Sequence, residues 1–194
     1  MVNCRPGTFL DLISMQNCNL TNLPENYSMR FYLYHYLVNP EMIQIAELPH
    51  SHKVIGYVMS RMQERNNIQK EPPYGGITSV SILRTYRKMG IAHRLMRCAH
   101  RAMGEIYGAE YVSLHVRETN TAAKHLYLKT MGYHLHEPHI EYYADGETAY
   151  ELHCSTKREL FEHVSRKYRA KDGNQQTGEP GGGEGKSKKR RKKK

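Results

Sequence analysis

Between Gly76 and Leu83 the chain carries an apolar, β-prone run, and from Ile91 to Tyr107 an amphipathic pattern of helical period. The segment Arg84-Thr85-Tyr86-Arg87-Lys88-Met89-Gly90-Ile91-Ala92 joins them. A strand that turns through small residues into a long helix commits the chain to a layered α/β arrangement, because the helix must bury its stripe on the sheet. It also leaves the first helical N–H groups unpaired, at the positive end of the helix dipole. Arg84, Arg87 and Lys88 add full charge there, while Gly90 and Ala92 let a ligand approach the backbone. The junction therefore reads as a cradle for the pyrophosphate of a nucleotide-like cofactor.

A net charge of +10 suggests a nucleic-acid binder until the charge is located. Eight of the positive charges lie between Lys186 and Lys194, which leaves +2 for everything before them. The basicity belongs to a tail, and the body is nearly balanced. At 194 residues and 39% apolar content, one domain with a full core is expected. Cys4, Cys18, Cys98 and Cys154 show no paired spacing and read as reduced thiols. Twelve histidines show no metal-binding spacing, so no metal is expected. No run has transmembrane length, and residues 1–5 do not open a leader peptide.

The elements follow in order. Residues 2–6 form a short strand. Thr8 and Asp11 start a helix with Phe9, Leu12, Ile13 and Met15 on one face, stopping near 17–19. A loop from Leu20 to Tyr27 is stiffened by Pro24, and Ser28 caps an aromatic helix ended by Pro40. Residues 42–48 and 53–63 read as an antiparallel hairpin, 64–73 as a polar loop, and 74–83 as the strand entering the junction. Further strands are expected at 110–117, 133–139 and 148–154. Helices are expected at 91–107, with Gly108 as cap, and at 119–131, ended by Gly132. The fold class is α/β (α+β): a mixed sheet of about seven strands flanked by four helices. Residues 1–155 form the domain, 156–171 a C-terminal helix, and 172–194 a disordered Gly-rich, basic tail.

Arg87-x-x-Gly90-x-Ala92 after a strand resembles the acetyl-coenzyme A signature of the GCN5-related N-acetyltransferases (GNAT). Leu23-Pro24-Glu25-Asn26-Tyr27, Tyr111 to Arg117, and Tyr142-Tyr143-Ala144-Asp145-Gly146-Glu147 resemble, in the same order, the catalytic subunits of the N-terminal acetyltransferase A (NatA) complex. Two departures stand out: Gly76 where a histidine is expected, and a short basic tail in place of a long acidic one. The resemblance implies a mostly antiparallel GNAT sheet and acetyl transfer from acetyl-CoA to nascent polypeptide N-termini. It also implies a large helical-repeat auxiliary subunit at the ribosome, and a cytoplasmic site of action, with the nucleus also open. In complex the expected substrates begin with Ser, Ala, Thr, Gly, Val or Cys after methionine removal; alone, acidic N-termini. A NatB-type enzyme acting on Met-Asp and Met-Glu, or a catalytically weak polyanion-binding subunit, stands as the alternative.

By the same resemblance, the backbone of Val80, Ser81 and Ile82 holds the pantetheine arm, and Arg87, Lys88, Met89, Gly90, Ile91 and Ala92 hold the pyrophosphate. Asn120 lies near the coenzyme and the Tyr127 hydroxyl near the thioester sulfur. Leu23, Pro24, Glu25 and Tyr27 wall the peptide groove. On residue chemistry, Glu25 is the candidate base. Ser113, His115 and Arg117 share a strand face, and His115 or Arg117 can orient Glu25 or a water. Of Tyr142 and Tyr143 only one is expected in the groove, Tyr143 the better candidate, because neighbours on a strand end point apart. The basic tail suits an import signal, a non-specific RNA contact or a solubilising run. Surplus apolar surface on the first two helices suits a partner.

Overall fold

The computed structural model describes residues 2–63 and 72–157, and nearly all of the expected 64–73 loop, the C-terminal helix and the tail fall outside them. Seven strands form one sheet: β1 (Asn3–Pro6), β2 (Ile43–Glu47), β3 (Val54–Met62), β4 (Tyr74–Ile82), β5 (Tyr111–Arg117), β6 (His134–His139) and β7 (Ala149–Ser155). Their spatial order is β1-β2-β3-β4-β5-β7-β6. Every pairing is antiparallel except β4 with β5. The helices are α1 (Asp11–Asn22), α2 (Met29–Val38), α3 (Ile91–Arg101) and α4 (Thr121–Lys124). Among the described residues no helix is long and apolar enough to cross a membrane.

Two cores sandwich the central strands. Leu12, Met15, Cys18 and Tyr32 from α1 and α2 pack on Ile43, Ile45, Tyr57 and Met59. On the other face Ile91, Leu95, Met96 and Ala99 of α3 pack on Ala46, Ile55, Val58 and Ile82. Covering on both faces explains why β2 is buried along its whole length, without the alternation of a half-exposed strand.

The parallel contact between β4 and β5 is short. It runs from Tyr74↔Tyr111 to Ile77↔Leu114 and then stops, although both strands continue. The β3–β4 register slips at the same level, Met59 facing Ser79 while Ser60 faces Ile77, so Thr78 is an extra residue on β4. A bulge raises local twist and re-aims the strand. Here it steers β4 away from β5, and β5 stays with β7 as far as Arg117↔Ala149. The result is a wedge-shaped gap in the middle of the sheet.

Several sequence expectations need correction. Helix α1 runs on to Asn22: the Leu23 N–H still donates to the Asn19 carbonyl (2.9 Å), and the Thr21 and Asn22 side chains bond back to the carbonyls of Asn17 and Cys18 (2.7 Å each), before Pro24 forces Leu23 into extended backbone. Phe9 and Ile13 are exposed; the buried side of α1 is Leu12, Met15, Cys18 and Asn19. The two later helices each finish with a π-helical stretch, Ala102–Ile106 and His125–Met131.

Candidate active site

The gap opens into a cleft of about 380 Å³, lined by β4, β5, the loop after α1 and the β6–β7 turn. On the β4 wall, the Leu83 N–H donates to the Ile55 carbonyl (2.9 Å), which sets the alternation of an antiparallel ladder. Ser81 and Ser79 then direct their main chains at β3, and Val80 and Ile82 direct theirs at the gap. The Ile82 carbonyl accepts from Arg87 Nε (3.0 Å), and the bulged Thr78 carbonyl from the Tyr27 hydroxyl (3.4 Å). Since the pairing of β4 with β5 ends at Ile77, the Val80 N–H and carbonyl face the space β5 has vacated, with no strand partner there among the described residues. Of the three residues expected to hold a pantetheine arm, Val80 is the best placed. The Ser81 side chain turns the other way, donating to the Cys18 carbonyl (3.2 Å).

At the end of β4 the chain makes a short 3-10 turn, Arg84–Tyr86, and enters α3 through Lys88 at φ 62° and Gly90 at φ 72°. Only glycine adopts the second conformation without strain. A side chain on Gly90 would meet no neighbour, so it is conformation that calls for glycine here. The first bond of α3 is Arg94 N–H to the Gly90 carbonyl (3.1 Å), which leaves the N–H groups of Ile91 and Ala92 at the helix entrance. Arg84, Lys88 and Met89 are exposed beside it. Arg87 is partly committed: besides Ile82 it donates to Asn22 Oδ1 (2.9 Å), tying the junction to α1. This donor set, open main chain on Val80 followed by a cationic helix entrance, fits an elongated ligand that ends in phosphate.

The opposite wall belongs to Glu25. Its backbone carbonyl is fixed by Asn19 Nδ2 (3.1 Å), and Tyr27 stacks on Phe31 with ring centres 4.5 Å apart. Arg117, at the end of β5, donates to Glu25 Oε1 through Nε (2.9 Å) and Nη2 (2.6 Å). Its Nη1 reaches Asp145 (2.8 Å) and Glu147 (2.5 Å) in the β6–β7 turn. Glu147 also accepts from the Thr119 N–H and hydroxyl (2.9 and 2.6 Å), and those bonds with Arg117 hold its carboxyl down at about 2. One guanidinium gathers three carboxylates, so this end of the cleft is net negative and attracts an ammonium group. Glu25 Oε2 takes no hydrogen bond among the described residues.

Both turn tyrosines line the cleft. Tyr143 lies over the Arg117 guanidinium at 3.9 Å, and Tyr142 stacks flat on His115 with centres 4.5 Å apart. The expectation of one tyrosine assumed a strand end; these residues sit in the turn, where strand alternation does not apply. Burial pushes Tyr143 up to about 12 and raises Tyr127 further still, so both phenols stay protonated. His115 makes no hydrogen bond to Glu25, and its partial burial lowers its pKa. Asn120 caps α4, its Oδ1 accepting from the Ala123 N–H (3.1 Å). Leu23 and Pro24 line the rim. Gly76 faces Arg61 in the β3–β4 register, and the side-chain amide of Gln63, just past β3, sits 3.0 Å from where a Cβ would be, so the Gln63 side chain fills the place of the expected histidine. The roles of Asp145 and Glu147 escape sequence reasoning, although their turn belongs to the Ala-Asp-Gly-Glu motif.

Residues 11–133 match the acetyltransferase (GNAT) family. The chain is similar to the Arabidopsis thaliana N-terminal acetyltransferase A complex catalytic subunit NAA10, 47% identical over 81% of this chain and 79% of that protein. It is similar to the Schizosaccharomyces pombe N-terminal acetyltransferase A complex catalytic subunit ard1, 48% identical over 78% of this chain and 84% of that one. Among solved structures it resembles Chaetomium thermophilum Naa20 in complex with a bisubstrate analogue (TM-score 0.71, 30% identity, 81% and 88% covered). It also resembles a chain of the NatC complex bound to Gag peptide and CoA (TM-score 0.73, 25% identity, 79% and 98% covered).

Proposed function

Because this chain belongs to the acetyltransferase (GNAT) family, and within it to the catalytic subunits of N-terminal acetyltransferase A, we propose that it acetylates the α-amino group of protein N-termini with Glu25 as the base. The observation that carries the reading is the opposition of two walls across one gap: open main chain on Val80 on one side, and the Arg117-held carboxylate of Glu25 on the other.

Acetyl-CoA supplies the activated carbonyl and a thiolate leaving group. Val80 and the α3 entrance bind and align that donor, with Arg87, Lys88 and the N–H groups of Ile91 and Ala92 at its phosphate end. An α-amine has a pKa near 8, so roughly a tenth is neutral at pH 7 and little pKa tuning is required. The carboxylate cluster draws the amine in, Glu25 Oε2 accepts its proton, directly or through a water, and Arg117 holds Glu25 in place. Tyr127, kept protonated by burial, hydrogen-bonds the departing thiolate, which takes its proton from solvent. Tyr142 and Tyr143 close over the peptide, and Leu23, Pro24 and Tyr27 floor it.

Crowding by these rings favours a small first residue, so Ser, Ala, Thr, Gly, Val and Cys termini are the assigned substrates. The negative charge around Arg117 works against acidic termini. Exposed Leu10, Ile13, Tyr34, Leu37 and Val38 on and beside α1 and α2 support docking on a large auxiliary subunit, which would bring the chain to ribosomes in the cytoplasm. The assay is acetylation of peptides beginning Ser, Ala, Asp-Asp, Met-Asp and Met-Leu, with and without an auxiliary subunit. Preferential α-amine transfer to Ser and Ala supports the assignment; label on lysine side chains alone contradicts it.

A further inference from the structure

The face of the sheet that α1 and α2 cover over its first strands carries a different surface over β5, β7 and β6. There the registers His115↔Glu151, Ser113↔His153 and His134↔His153 place side chains of three strands on one side. The register slips between Leu135 and Glu137, making His136 an extra residue in β6. His136 stacks on His153 at 4.1 Å. Five imidazoles and two carboxylates thus share one patch, close to the cleft but outside the Glu25–Arg117 pair.

We propose that His115, His139 and Glu151 form a binding site for a divalent transition-metal ion of the zinc class. One ligand atom from each lies within 4.8 Å of the others. Ligand atoms around tetrahedral zinc are about 3.3 Å apart at bond lengths near 2.0–2.2 Å, so modest side-chain rotations close the site. Imidazole and carboxylate donors without thiolate suit zinc, nickel or copper and not calcium or magnesium. Glu151 is already held in place: Oε2 meets His139 Nε2 at 3.0 Å and Oε1 meets His153 Nε2 at 2.9 Å. That second imidazole orients the carboxylate from behind, as outer partners do at metal centres. A further carboxylate, Glu137, stands 3.5 Å from His139 Nε2 and offers a fourth donor.

His136, Glu151 and His153 make an overlapping triad that competes for the same carboxylate. The His115 triad is preferred because its rings come from β5 and β6, the strands on either side of the one that carries Glu151, whereas His153 is already engaged with the other carboxylate oxygen at 2.9 Å. The site lies between three strands, which is why no spacing in the sequence displays it. Its consequence is local: the ion ties β5 to the base of the turn that carries Tyr142 and Tyr143, and takes no part in acetyl transfer.

The test uses the full-length chain without an affinity tag and zinc chloride as the probe, followed by calorimetry and by the histidine ring signals in NMR. One zinc per chain is expected, with the signals of His115 and His139 shifting and the melting temperature rising. His139→Gln and Glu151→Gln should each weaken binding at least tenfold, and His136→Gln should leave it within about twofold. Cys4 and Cys98 serve as controls, since their replacement by Ser should change nothing. Zinc binding that survives His139→Gln, or that shifts His136 in place of His115 in the unaltered chain, overturns the assignment, as does no binding at micromolar zinc. The peptide assay is separate, so a missing metal site leaves the acetyltransferase reading standing.

Discussion

Arg117 places two donors on one oxygen of Glu25, Nε at 2.9 Å and Nη2 at 2.6 Å, between residues 92 positions apart in the chain. The remaining Nη1 binds Asp145 and Glu147, so the end of β5, the loop after α1 and the β6–β7 turn meet at one guanidinium. A lysine supplies a single charged point and cannot span these three carboxylates. Arg117→Lys should lower peptide kcat/KM by about tenfold or more with little change in acetyl-CoA affinity. Steady-state kinetics varying each substrate in turn check this.

Arg87 and Asn22 give a test on the coenzyme side. Arg87→Ala should weaken acetyl-CoA binding about tenfold, since a charge-assisted contact is lost. Asn22→Ala leaves the guanidinium present and braced only at the Ile82 carbonyl, and should weaken binding less, in the same direction. Calorimetric titration with the coenzyme measures both. Unchanged affinity in Arg87→Ala would remove Arg87 from the cradle.

The two turn tyrosines should act on the peptide alone. Tyr143→Ala removes a ring 3.9 Å from the Arg117 guanidinium, an interaction of roughly 1 kcal/mol, and should raise peptide KM about fivefold while acetyl-CoA KM holds.

His100 sets part of the acid limit. It is buried, with Nε2 2.5 Å from the Tyr133 hydroxyl, and burial lowers its pKa from 6.5 to about 3. The unfolded chain binds a proton below pH 6.5 that the folded chain refuses until about pH 3. Stability is therefore complete above pH 6.5 and falls by about 1.4 kcal/mol per unit between those limits. His100→Gln should flatten this slope in urea titrations between pH 6.5 and 4.5. An identical slope would show that other groups control acid unfolding.

Leu37 probes the partner surface. It is 70% exposed, so Leu37→Asp should change stability by no more than about 0.5 kcal/mol while reducing capture of an auxiliary subunit. Native mass spectrometry of the mixed subunits reads the outcome.

Much of this architecture is legible in the residues. The β4–α3 junction, the β2–β3 hairpin and Gly132 as a helix stop all follow from local chemistry, and the motif resemblance ordered them into one domain. What local rules miss is long-range. Insertion of β7 between β5 and β6 is decided by pairing, and the Thr78 bulge that opens the cleft leaves no signature in a β-prone run. The π-helical ends of the helices are invisible to a 3.6-residue period. Arg117 was recognisable as a group that could orient Glu25, but its other partners, Asp145 and Glu147, are brought to it by the β6–β7 turn.

The most direct test of the account is Glu25→Gln, which keeps the size and the Arg117 contact but removes the base. With Glu25 as the base, kcat should fall about 100-fold on a Ser-initiated peptide, with acetyl-CoA affinity unchanged. Turnover equal to that of the unaltered enzyme would contradict it.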